Sequence, residues 1–161
     1  MNRPRRPSGF SLIELLATLA IMAALLLIVL PVAQLAVQRH REAELRSGLA
    51  SIRSAIDRYR SAVAEGRVRI ERGASGYPAS LELLVEGVED ASASDRRKIY
   101  FLRRLPRDPF HDGAKNVPAS ETWGLRSYDS PPEDPAAGSD VFDVYTLDEG
   151  VGLNGIPYRD W

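Results

Sequence analysis

The sequence predicts an α+β protein: one long N-terminal helix, apolar in its first half and amphipathic in its second, packed on a small C-terminal antiparallel sheet. Three observations carry that expectation. No residue from Leu15 to Gln38 is charged, a run of 24 residues. Leu45, Leu49, Ile52, Ile56, Tyr59 and Val63 then recur at steps of 4 and 3, the spacing that draws one apolar stripe along a helix. Finally, seven of the eleven prolines fall between Pro106 and Pro157, where two β-prone runs stand among turn residues.

Composition narrows the chemistry. The 161 residues carry a net charge of −1 and a pI near 6.1, so no basic footprint points to nucleic acid. Cysteine is absent, which excludes disulfides, thiol catalysis, iron–sulfur ligation and a lipid-modified cysteine. His40 and His111 are far apart in sequence and do not by themselves make a zinc site.

Four segments follow in order. Residues 1–9 form a basic leader in which Arg3, Arg5 and Arg6 have no acidic partner. Residues 10–38 form an apolar helix; its uncharged run spans about 36 Å at about 1.5 Å per residue, enough for a hydrocarbon core of about 30 Å. A secretory signal peptide is the alternative, but its apolar core is shorter, roughly 7–15 residues, and ends at an A-x-A-like site that is missing here. The positive flank predicts a cytoplasmic N-terminus, a single membrane pass and an exported remainder. Pro31 removes a helix hydrogen bond and crowds the preceding turn, so a kink or a melted turn is expected there.

Glu14 stands at the head of this run and has two readings. It is a solvated helix-start acid favoured by the helix dipole, or it is a membrane carboxylate that needs a partner, since an acid deep in a bilayer costs about 2.5–3.5 kcal/mol.

Residues 39–65 should continue as an amphipathic helix. Arg41, Arg46, Arg53, Arg58 and Arg60, with Glu42, Glu44 and Asp57, are expected on its solvated faces, with contacts to lipid head groups or acidic neighbours as the other reading of the basic residues. Gly66 ends the pattern, and 66–161 reads as a loop-rich domain. Ser80 is a candidate cap for a short helix through Leu81–Val85, stopped by Gly87. Trp123–Tyr128 and Val141–Leu147 are the strand candidates. The first would put Trp123 and Leu125 on one side; the second would set Val141, Asp143, Tyr145 and Leu147 against Phe142 and Val144. A sheet of two or three strands on the long helix buries both apolar faces.

The stretch Gly9-Phe10-Ser11-Leu12-Ile13-Glu14, after a basic leader and before a long apolar run, resembles the processing site of type IV prepilins and type II secretion pseudopilins. The resemblance implies a pilin-like fold and cleavage between Gly9 and Phe10 by a prepilin peptidase. It also implies N-methylation of Phe10 and a role for Glu14 in assembly. Glu14 would then neutralise the new Phe10 amine of a neighbouring subunit. Pilin-like proteins often carry a proline near position 31 as well.

The pieces Tyr77-Pro78, Phe101-Leu-Arg-Arg-Leu-Pro-Arg-Asp-Pro-Phe110 and Phe142-Asp-Val-Tyr-Thr-Leu147 are similar to the major (G-type) pseudopilin of type II secretion. This implies a structural subunit of a periplasmic filament for protein secretion, anchored in the inner membrane until assembly extracts it. Its partners would be itself, other pseudopilins, the peptidase, the inner-membrane secretion platform and membrane lipid, with no nucleic acid. That group usually binds calcium near its sheet; here Asp140, Asp148, Glu149 and Asn154 are scattered, so the expectation is no cofactor. The ending Gly155–Trp161 also departs from the group's usual one.

Two other readings remain. One is a type IV pilin or minor pilin, serving adhesion, motility or DNA uptake, although many pilins close a C-terminal loop with a disulfide that this chain has no cysteines to form. The other is a membrane-anchored periplasmic enzyme, which would need a paired constellation in one pocket. His111-Asp112 is the only adjacent histidine–acid pair in the exported part, and no enzymatic activity is expected from it.

Overall fold

A computed structural model describes residues 10–113 and 116–161, with the backbone alone at 28–31. The leader residues 1–9, Gly9 included, lie outside the described residues. Helix α1 runs from Leu12 to Ala64, and its assignment is unbroken across position 31. The chain divides into two compact units, the first ending at His40 and the second comprising Arg41–Trp161. The α+β, pilin-like arrangement expected from the sequence is the one observed: a long apolar N-terminal helix followed by small antiparallel sheets.

In the first unit the apolar side chains have no protein cover. Phe10 and Ile13 are each 76% exposed, and the large hydrophobics described from Leu12 to Val37 are all exposed. The most apolar 18-residue window has a mean hydropathy of 2.8 with none of it buried, so this helix is long and apolar enough to cross a membrane.

The second unit has its own core. Leu45, Leu49, Ile52, Ile56 and Tyr59 of α1 are buried as the stripe requires, joined by Ala55 and Ala62, while Val63 is half-buried at the fraying edge. The helix closes in a Schellman motif: the Arg67 amide donates to the Ala62 carbonyl (2.9 Å) and the Gly66 amide to the Val63 carbonyl (2.9 Å). Gly66 sits at φ +71°, which only glycine adopts without strain.

One short helix and four short strands follow. Helix α2 (Glu82–Glu86) begins without a side-chain cap, so Ser80 does not play the part expected of it. Strands β1 (Val88–Glu89) and β2 (Lys98–Ile99) pair antiparallel around the loop 90–97. Strands β3 (Trp123–Arg126) and β4 (Asp143–Thr146) form a second, separate antiparallel ribbon with Trp123 opposite Thr146 and Leu125 opposite Val144. The expected single sheet is therefore two two-stranded ribbons. The first escaped notice because two-residue strands carry no readable alternation.

Residues 143–146 of β4 alternate as expected, with the Val144 side inward; Val141, ahead of the strand, is buried as well. Val144 and Thr146 are buried, whereas Leu147 is 53% exposed. Thr146 is acceptable inside because its hydroxyl donates to Asp108 and accepts from the Asp148 amide (3.1 Å). On β3, Trp123 is buried against α1, where Gly48 leaves room for it. A Cβ at Gly48 would stand 3.2 Å from the indole, and the indole Nε1 donates to the Pro106 carbonyl at 2.9 Å.

Candidate functional site

Two groups of residues are candidates for function: the head of α1, and the polar residues that fasten the second unit. At the head, Phe10 precedes the helix and is exposed, and Glu14 lies in its first turn, also exposed. The amides of Glu14 and Leu15 both donate to the Ser11 carbonyl (3.0 and 3.1 Å), which starts the helical ladder. Phe10 itself lies ahead of the helical ladder, four residues before Glu14 in the chain. Both side chains are thus exposed at the start of an apolar helix whose described large hydrophobics are exposed as well.

Within the second unit, charged residues expected on solvated faces prove to be fasteners. Glu42 is only 4% exposed; its Oε1 accepts the Leu153 amide (2.8 Å) and the Tyr158 hydroxyl (3.0 Å). Arg53 donates to Asp143 (2.7 Å), the Trp161 carbonyl (2.8 Å) and the Val144 carbonyl (3.1 Å). Asp143 also receives Arg126 across the ribbon at 3.4 Å. Tyr158 stacks on Phe110 with ring centroids 4.3 Å apart, and Arg46 covers the Trp161 ring at 4.1 Å. The signal for Glu42 was present in the sequence: it stands three residues before Leu45, in phase with the buried stripe. Arg53 had no such signal, because the groups it binds lie some 90 to 108 residues away.

The Leu105-Pro-Arg-Asp-Pro-Phe110 turn is built around Asp108, which is buried. Its amide donates to Thr122 Oγ1 (3.1 Å), its carboxylate accepts the Phe110 amide (2.8 Å) and the Thr146 hydroxyl, and its carbonyl accepts the His111 amide (3.3 Å). Burial pushes the Asp108 carboxyl above its ordinary range, and the hydrogen bonds from Thr146 and Phe110 oppose that rise. His111 is half-buried beside this turn and Asp112 is exposed.

Asp140, Asp148 and Asn154 each hold backbone or side-chain donors of the surrounding loops. Asp140 accepts from the Ser127 hydroxyl (2.7 Å) and the Tyr128 amide (2.9 Å). Asp148 caps the Gly150 amide (2.7 Å) and Asn154 the Ile156 amide (3.1 Å). For Asp140, burial acts to raise the pKa, but hydrogen bonds from Ser75, the Tyr128 amide and Ser127 leave it below the usual carboxylate range. Among the described residues no group of three or more His, Asp or Glu is placed to hold a metal ion.

Asp90, also buried, accepts the Ser92 hydroxyl and amide and the Arg67 guanidinium (3.0 Å). Ser92 and Arg67 together hold its pKa at about 2. It ties the β1–β2 loop to the end of α1.

Comparison with curated proteins found no match, and comparison with solved structures found none either. The second unit thus stands on its own geometry. The head of α1 does not: residues 4–30 match the family model described as the prokaryotic N-terminal methylation motif, a structural motif typical of type IV pilin-like proteins that are processed by prepilin peptidase.

Proposed function

We propose that the chain is a structural subunit of a type II secretion pseudopilus. The observation that carries this reading is the methylation motif at the head of an apolar helix whose described side chains have no cover of their own, joined to a unit with an independent core. Cleavage between Gly9 and Phe10 leaves a new amine at Phe10, which is then methylated. Glu14 of one subunit neutralises the Phe10 amine of the next. Two charges that are each costly in a bilayer become tolerable as a pair, so lateral stacking is favoured over the isolated helix. Pro31 supplies the local bend that lets neighbouring helices pack. The anchor is the inner membrane, with the second unit on the periplasmic side, and work is done by adding subunits at the base.

The choice of a secretion filament over a type IV pilus rests on the likeness of the Leu105–Phe110 and Phe142–Leu147 pieces to the major pseudopilin. The missing cysteines favour it too, because hydrogen bonds accepted by Glu42 and donated by Arg53 fasten the C-terminal segment where many pilins use a disulfide.

Co-expression with a prepilin peptidase tests the processing step. Intact-mass measurement should find a chain starting at methylated Phe10, and a product that keeps Met1 would overturn the reading. The Glu14→Ala variant should still be cleaved and inserted in membranes but should be missing from the sheared filament fraction.

A further inference from the structure

A groove of about 880 Å³ runs along one flank of α1 in the second unit. Glu44, Ser47, Gly48 and Ser51 line it from α1, and residues of the 102–109 segment, with three arginines to the one carboxylate, line the other side. Its floor is apolar, with Leu102, Leu105, Pro106 and Pro109, and its rim carries Arg103, Arg104 and Arg107, all three exposed. Arg107 donates to the Val117 carbonyl, but among the described residues none of the three arginines has a carboxylate partner.

The same unit presents an acidic segment in a matching condition. Asp129, Glu133 and Asp134 lie within six residues, are exposed, and among the described residues have no cationic partner. Pro131, Pro132 and Pro135 stiffen this loop, so little conformational entropy is lost when it docks, and they give it an apolar surface between its charges. A proline-rich segment with flanking acids suits an apolar floor with an arginine rim.

One chain cannot close this pair on itself. At about 100° per residue, Glu44, Ser47, Gly48 and Ser51 share an arc of ~100° on α1, and Arg53 lies about 190° from its centre. The cleft at Arg53 is where Pro132 and Pro135 sit, beside Arg126 and Arg159. Arg53 and Arg126 are engaged by Asp143, and Arg159 lies over the Tyr145 ring at 5.5 Å. The groove and the acidic loop therefore occupy opposite flanks of the helix.

We infer that the Arg103/Arg104/Arg107 groove receives the Asp129–Asp134 loop of a second copy of this chain. The contact is head-to-tail: each copy offers its groove on one flank and its loop on the other, and such an interface continues from copy to copy instead of closing as a two-fold dimer. It names the partner surface within the assembly proposed above and rests on that reading only for its setting.

Because the chain has no cysteine, the contact can be tested with two differently tagged full-length copies in membranes, one Ser51→Cys and the other Ala137→Cys. Mild oxidation should yield a mixed-tag adduct, while either variant alone stays monomeric. Adding Arg103→Glu and Arg104→Glu to the groove copy should abolish the adduct. Adding Glu133→Arg and Asp134→Arg to the loop copy should bring it back. A yield no higher than that of the control pair Arg72→Cys with Ala137→Cys would overturn the inference, as would self-adducts of Ser51→Cys, which would signal a two-fold contact. Failure here is distinct from failure of the filament reading. Pelletable filaments without the adduct would sink the groove contact alone, and the adduct without filaments would leave the contact standing and sink the filament.

Discussion

Glu42 behaves unlike the other acids around the start of the amphipathic half of α1. Its carboxylate replaces water for two donors, the Leu153 amide and the Tyr158 hydroxyl, that arrive from the far end of the sequence. Truncation at this site removes an acceptor from the buried Tyr158 hydroxyl and from the part-buried Leu153 amide. Glu42→Ala should therefore lower stability by about 3 kcal/mol, whereas Glu42→Gln, which keeps an acceptor oxygen, should lose about 1 kcal/mol. Thermal melts of the detergent-solubilised chain would measure the difference. Trypsin adds a local readout: cleavage after Arg159 should be faster in Glu42→Ala than in Glu42→Gln. Gly87 makes a second case at this scale. It stops α2 at φ +73° and ψ 156°, and a Cβ there would meet the Ile99 carbonyl oxygen at 2.8 Å. The backbone region belongs to glycine and the obstacle is main chain, so Gly87→Ala should cost about 2–3 kcal/mol, read as a lower urea midpoint.

The elements differ in how far the sequence announced them. The second half of α1 was legible because helical period and burial coincide: five of its six stripe residues are buried, and Gly66 takes the left-handed turn that ends it. Strands β3 and β4 were legible from their β-branched and aromatic residues, though each is shorter than its apolar run suggested. The β1–β2 ribbon was not, since what holds it is Asp90, a loop acid without local pattern. Asp90 collects Ser92 within its own loop and Arg67 from beyond α1, and the second contact is long-range and invisible to periodicity. The head of α1 is the reverse case: a motif singles out Phe10 and Glu14, and both are exposed. If Arg53 is what locks β4 and the last residue to α1, Arg53→Ala should loosen both together. Hydrogen exchange should then rise at Val144 and Trp161 while Val88 and Ile99 stay protected.

For the whole second unit, acid sensitivity follows from three buried carboxyls of opposite sign. Asp90, held at about 2, and Asp140, held below the ordinary range, each contribute stability above their unfolded values near 3.9. That contribution is lost as pH falls through the folded values. Asp108 is raised by burial, so its contribution is present below its unfolded value and disappears as pH rises through the folded one. Two carboxyls against one predict a net loss of stability between about pH 4 and pH 2. Urea midpoints at pH 6 and pH 3 should fall less in Asp90→Asn than in the unaltered chain.

The Glu42 clasp has a mechanical consequence. Tension drawn along α1 from its apolar end enters the second unit at Arg41, and the first polar fastening it meets is the bond from Glu42 to Leu153 and Tyr158. Those partners stand 111 and 116 residues further along the chain, so a pull applied at the head is shared at once with a segment distant in sequence. The core between them is bracketed rather than peeled. Because the bracket is made of hydrogen bonds and not a covalent bridge, it reseats when the load is removed, whatever the redox state around it.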